Sequence, residues 1–191
     1  MRLPILQQTE NDDLKSFVEF WSKGYYYPLE DLYNNRIHKE QYNESDIQEF
    51  FIWKNGMNLS KLKQKSLNDK IISKTDLINK YKRIDDIDID CFNLDFNNVS
   101  AVWRIFLLHI IKPTRFPIYD QHINRAFNYI HGLDYNNISS TMSNKKKEVF
   151  YFGTYLNFIS SLDNFNLKEL DEAFFAFGQF INTNNYINLI K

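Results

Sequence analysis

The chain has 191 residues, 43% apolar and 17% aromatic, with a net charge of −1. That is enough to bury a real core, and it excludes a disordered chain. The near-neutral balance leaves no global basic field, so any nucleic-acid contact must rest on a local basic face. A single cysteine, Cys91, excludes a disulfide framework and any four-cysteine zinc or iron–sulfur site. Five Gly and four Pro give little turn chemistry for a many-stranded sandwich, so the expected fold class is all-α.

In chain order, MRLPILQQTENDD lacks the charged-then-apolar layout of a signal peptide. The longest strongly apolar run, IFLLHII, is too short to span a bilayer. The chain therefore reads as soluble and cytoplasmic, with no membrane partner. LKSFVEFW (14–21) places Leu14, Phe17, Val18 and Trp21 on one helical stripe. Ser45 and Gln48 form a candidate capping box for DIQEFFIWKNG, with Gly56 placed to end that helix. LSKLKQKSLNDKIIS and TDLINKYKR read as further helices. IDDIDIDCFNLDF (84–96) alternates acidic and apolar residues; a short strand is open, but irregular chain with a helical turn suits its helical surroundings. SAVWRIFLLHII (100–111) is apolar nearly all round, the mark of a central buried helix. DQHINRAFNYI is again amphipathic, with Ile123, Ala126, Phe127 and Ile130 on one stripe. Lys145, Lys146 and Lys147 read as the entry to a surface helix. Asn166 and Glu169 form a second capping box before Leu167, Leu170, Phe174, Phe177 and Ile181, which share one face.

The stretch FPIYDQHINRAF (116–127) raises the question of chemistry. Asp before a helix is a common N-cap, because its carboxylate accepts the unpaired N–H groups of the first turn. The same group, kept ionised by the helix dipole, suits electrostatic stabilisation of a cationic transition state. Cap and functional carboxylate are compatible readings of Asp120. His109, inside an apolar helix with no metal-ligand spacing around it, reads as a hydrogen-bonded core residue, and no metal site is expected.

Over about residues 44–131 the chain resembles the helix-hairpin-helix DNA glycosylase superfamily. Tyr119-Asp120-Gln121-His122-Ile123-Asn124-Arg125 is similar to that family's V-D-T-H-[IV]-x-R pattern around its catalytic Asp. Phe96-Asn97-Asn98-Val99-Ser100 falls where the family's LPGVG hairpin would, with Asn98 and Ser100 in place of the glycines. Asn tolerates a left-handed backbone there and Ser does so poorly. FFIWKNGMNLSKLKQKS is similar to the family stretch that leads into a Lys-containing helix.

The resemblance implies two helical lobes within a single unit: residues 28–115 as one, residues 1–27 plus 116–191 as the other. It implies a monofunctional DNA N-glycosylase, because the position of the lyase lysine is Val102. It requires no cofactor. Asp120 would be the catalytic residue, stabilising an oxocarbenium-like sugar or orienting water. The partner would be duplex DNA carrying a damaged or modified base, with the base taken out of the stack into an aromatic pocket. Tyr119, Trp53 and Tyr26 are the candidate walls, and Tyr25 and Tyr27 are further aromatics of the same kind. Asn98, Ser100, Lys54, Lys61, Lys63, Lys65, His122 and Arg125 are the candidate DNA contacts. His122 and Arg125 fall opposite the apolar stripe of their helix, where they could meet phosphate or orient Asp120. The acidic run Asp85, Asp86, Asp88 and Asp90 would face away from a duplex. The alternative is a non-catalytic helical module of the same fold that binds nucleic acid or protein, of defence or accessory type.

Overall fold

The structure, a computed structural model, describes residues 14–162 and 164–183. The amino-terminal stretch read above for its lack of a signal layout lies outside the described residues, as do both ends of the lobe assigned to 1–27 plus 116–191. Regular structure among the described residues is helical, with no strand. The helices are α1 (Leu14–Trp21), α2 (Glu30–Asn34), α3 (Glu44–Asn55), α4 (Lys61–Lys70), α5 (Thr75–Arg83), α6 (Ile89–Asp95), α7 (Ala101–Ile111), α8 (Gln121–Ile130), α9 (Asn144–Phe150), α10 (Leu156–Ser160) and α11 (Leu167–Asn182). A π-helical turn, Tyr151–Tyr155, joins α9 to α10. The chain divides into two units, Tyr27–Phe116 and Met1–Tyr26 with Pro117–Lys191.

The unit Tyr27–Phe116 is organised around α7, whose residues Ile105 to Ile111 are all buried. A helix without a polar face has to be surrounded, and the aromatics of α3 do this: Phe51 packs on Trp103 and Phe106, and Trp53 stacks on Phe106 at 5.7 Å. Each such buried ring contributes roughly 1.5–3 kcal/mol of transfer free energy. The polar groups carried inside are matched. His109 bonds Tyr33 Oη at 2.8 Å through Nε2 and the Phe116 carbonyl at 2.7 Å through Nδ1. A carbonyl can only accept, so Nδ1 carries a proton, and in the neutral ring Nε2 accepts from the tyrosine. The Asn79 amide bonds both the N–H and the C=O of Tyr42, at 2.8 Å each, replacing a strand partner where the backbone has none.

The start of α3 differs from the sequence expectation. The cap of α3 is Asn43, not Ser45: its side chain accepts from Asp46 N–H, and the Asp46 carboxylate accepts from Asn43 N–H. Both pairs have the spacing of a capping box, and the earlier one wins because Asn and Asp both accept strongly. The acidic segment 84–96 is irregular over 84–88, as read from the sequence, and then forms α6 (Ile89–Asp95), which Asp88 caps by accepting from the N–H groups of Asp90 and Cys91. Gly56 does end α3, in the left-handed conformation at φ 73°.

In the other unit, α1 lays Phe17 on Phe174 and Phe177, and Trp21 on Phe177 and Phe180, along one face of α11. The second face of α11 carries α8. The segment 117–120 between the units' boundary and α8 has no helical or strand hydrogen bonding of its own, so its position is set by side chains of α11 and the π-turn.

Candidate functional site

Asp120 is the N-cap of α8, with extended backbone (φ −144°, ψ 156°) and a half-buried side chain. Its Oδ1 accepts the His122 N–H at 2.9 Å, and its carbonyl accepts the Asn124 N–H at 3.0 Å. The capping reading of Asp120 is therefore shown.

The residues around it depart from the amphipathic stripe. Ile123, Asn124, Arg125, Ala126 and Phe127 are all buried, so α8 is enclosed on more than its apolar side. Arg125, placed by periodicity on the outer face, is only 6% exposed. Its guanidinium donates from Nη2 to the Ile138 carbonyl at 2.7 Å and from Nη1 to His122 Nδ1 at 2.9 Å. It is committed to the interior and cannot lie on a phosphate. Burial lowers the Arg125 pKa, and the nearby Asp120 charge pushes it back up. Because a guanidinium can only donate, His122 Nδ1 must accept, which leaves the ring proton of neutral His122 on Nε2. Arg125 thus sets the tautomer of neutral His122, two residues after Asp120.

Two of the expected pocket walls are core residues. Tyr119 is 2% exposed and packs on Phe150 and Tyr151. Trp53 is 3% exposed, with its indole N–H on Glu30 at 2.9 Å. A ring enclosed on both faces offers nothing for a base to stack on. Tyr26, by contrast, is 82% exposed. Tyr25 and His122, both named from the sequence, share a surface in the same unit as Asp120 with Phe175, which the sequence reading missed. The Phe175 ring meets the His122 imidazole edge to face at 5.4 Å and Tyr25 at 5.8 Å, and all three are half-buried. Lys168 Nζ sits 4.9 Å from the centre of the Tyr25 ring. The signal for Phe175 was its place beside Phe174 but off the apolar stripe of α11.

Among the expected DNA contacts, Asn98 and Ser100 are exposed at the turn between α6 and α7. Phe96 and Val99 are buried under it, and Val99 N–H closes the turn on Phe96 C=O at 3.0 Å. Neither Asn98 nor Ser100 has a positive φ; Ser100 lies at φ −61°, ψ 150°. The strain expected for a serine in a glycine's place is therefore absent from this turn. Lys61, Lys63 and Lys65 project from the start of α4 and are exposed. Lys63 Nζ donates to Asn55 and Lys65 pairs with Asp69, each at 2.5 Å, exposed contacts of the kind worth about 0–1 kcal/mol. Among the described residues nothing pairs with Lys61. Lys54 is half-buried against the Phe106 ring at 5.8 Å. Lys147, expected at a surface, is buried and donates to the Ser140 carbonyl at 2.9 Å.

A groove of about 550 Å³ in the Tyr27–Phe116 unit runs between α3 and the end of α4, lined by Glu44, Glu49, Gln48, Asn68, Ile52 and Ile72. Of its two carboxylates, Glu49 is paired with the Arg36 guanidinium. No group of three or more His, Cys, Asp or Glu able to hold a metal occurs among the described residues. No helix among them is long and apolar enough to cross a membrane. No protein-family model matches the chain, and no curated protein or solved structure does so either.

Proposed function

We propose that the protein is a degenerate helix-hairpin-helix DNA glycosylase acting as a monofunctional base-excising enzyme, with its two helical units as the two lobes of that fold. One observation carries the reading. In the sequence Tyr-Asp-Gln-His-Ile-Asn-Arg, Asp120 is a half-exposed helix-capping carboxylate with a histidine held beside it by a buried arginine.

In this reading the bond from C1′ to the base nitrogen breaks and the base leaves with the electron pair. The sugar becomes oxocarbenium-like, and the fixed negative charge of Asp120 stabilises it. Water then adds at C1′, and the proton it loses passes through solvent to the departed base nitrogen, which leaves a neutral base and an abasic sugar hydroxyl. Tyr25 and Phe175 supply the ring surface for an extruded base in place of Tyr119 and Trp53. Asn98 and Ser100 at the α6–α7 turn and the lysines of α4 meet backbone phosphates of a duplex.

The deciding experiment is base release from duplexes that each carry one deaminated, alkylated or oxidised base, comparing wild type with Asp120→Asn. Release by wild type and its loss in the variant support the reading; no release from any duplex overturns it.

The second reading, a non-catalytic nucleic-acid- or protein-binding module, is favoured by the burial of Tyr119, Trp53 and Arg125. It keeps the exposed lysines of α4 as the contact surface. Salt-dependent DNA binding without base release would be its signature.

A further inference from the structure

The backbone leading to Asp120 is held by a buried polar cluster that the capping interaction does not explain. Asp171 of α11 is 3% exposed, and its Oδ2 accepts the Ile118 N–H at 2.7 Å. Its Oδ1 accepts the Tyr155 hydroxyl at 3.1 Å. Tyr151, one helical turn earlier, donates its hydroxyl to the Pro117 carbonyl at 2.7 Å. Both tyrosines are fully buried, and burial beside Asp171 raises their hydroxyl pKa well above the ordinary value, so they remain donors. They belong to the π-helical turn Tyr151–Tyr155. Such turns are uncommon inside α-helical segments and occur frequently at functional sites.

The segment Pro117–Asp120 is thereby gripped on both sides of a single peptide group, the one joining Pro117 to Ile118: α11 takes its N–H and the π-turn its C=O. A charge-assisted hydrogen bond in a low-dielectric interior is about twice as strong as a neutral one. It is also costly to leave half-made. This is more anchoring than a short connection needs in order to reach a helix.

We propose that Asp171, with Tyr155 and Tyr151 behind it, is the positioning residue that fixes the Asp120 carboxylate in its working place. The inference rests on the glycosylase reading of Asp120. Asp171 does not touch substrate; it acts through the Ile118 peptide, two residues from the carboxylate. Positioning errors near 1 Å lower rates on the order of 10²-fold, so the clamp matters for turnover beyond its share of stability.

The test compares wild type with Asp171→Asn, Tyr155→Phe and Tyr151→Phe by two independent readouts. The first is the carbon-13 carboxyl resonance of Asp120 followed through a pH titration, together with hydrogen exchange at the Ile118 and His122 amides. The second is single-turnover base release from the best duplex. The expected result is a displaced Asp120 titration curve in Asp171→Asn and, more weakly, in Tyr155→Phe, with faster exchange at Ile118. The rate constant for base release should fall on the order of 10–10²-fold, while duplex affinity stays within about two-fold. Asp120 titration curves in the folded variants that superimpose on wild type would overturn the proposal and leave Asp171 as a stabilising residue only. Should Asp171→Asn fail to fold, the two tyrosine variants decide it alone, since each removes one hydroxyl and preserves the ring. A wild-type protein that releases no base removes the glycosylase reading, while the titration comparison still decides whether Asp171 sets Asp120.

Discussion

Gly178 of α11 lies directly on the peptide of His122 in α8. A Cβ built on Gly178 would fall 1.9 Å from the His122 carbonyl oxygen and 2.5 Å from its carbon. The two helix backbones touch at the residue that neighbours Asp120, and only glycine allows that approach.

Gly178→Ala therefore sets two effects against each other. Alanine favours a helix interior by about 1 kcal/mol. The new methyl group meets backbone, which cannot rotate away, and overpacking of this kind costs typically 1–3 kcal/mol and at times more. The clash wins. Thermal unfolding should show a lower Tm by roughly 2–4 °C for each kcal/mol lost, together with changed His122 and Asp120 resonances. An unchanged Tm would mean that α8 and α11 are not in contact at this residue.

Asp120 can be separated into cap and charge. Asn caps a helix about as well as Asp, whereas Ala costs about 1 kcal/mol. In urea unfolding Asp120→Asn should match wild type within a few tenths of a kcal/mol, and Asp120→Ala should fall short by about 1 kcal/mol. Both variants should lack base release. Activity retained in Asp120→Asn would exclude the charge from the mechanism.

Lys82 gives a pH prediction. Burial first, and the neighbouring Lys112 second, lower its pKa from 10.5 to about 8, even though its Nζ lies 4.0 Å from the centre of the Tyr42 ring. Between about pH 8 and 10.5 the unfolded chain then binds more protons than the folded one, so stability rises with pH across that window. Below it both states are protonated and the repulsion is fully felt. The buried tyrosines, whose hydroxyls are raised, oppose this trend: their unfolded forms ionise near pH 10, and stability falls above that value. Lys82→Met should flatten the rise between about pH 8 and 10 in urea midpoints while leaving the tyrosine-driven fall. A wild-type curve that does not rise there would place the Lys82 amine in water.

Duplex binding should report on α4. Each phosphate contact adds about 0.9 to the slope of log affinity against log salt concentration. Lys61→Ala with Lys63→Ala should lower that slope by about 1.8 if both lysines meet phosphate. Lys65→Ala, which also frees Asp69, is the comparison for a lysine already paired. A slope equal to wild type in the double variant would take DNA off this face.

Local chemistry was enough to read several of the helices from the residues, though not α2, α10 or the π-turn. The stripe Leu14, Phe17, Val18, Trp21, the all-apolar run of α7, and Gly56 at the end of α3 each follow from interactions within a few positions of the chain. Asp120 as a helix cap was legible for the same reason: the N–H groups it accepts are its immediate successors. Periodicity misplaced Arg125, because a helix wheel assumes one buried side, whereas the Ile138 carbonyl covers the other side of α8. The family resemblance made Tyr119 and Trp53 pocket walls, and no local pattern distinguishes a ring enclosed by neighbours from one left open. Asp171 and Gly178 left a trace, since both fall on the apolar stripe of α11 where an unpaired charge or a missing side chain would otherwise be a loss. What they were for depended on partners far away in sequence, the Ile118 peptide and the His122 carbonyl. Hydrogen bonds and contacts between such distant residues exist only once the helices have packed, so the backbone that carries Asp120 was decided by the tertiary structure, and the identity of Asp120 by the sequence.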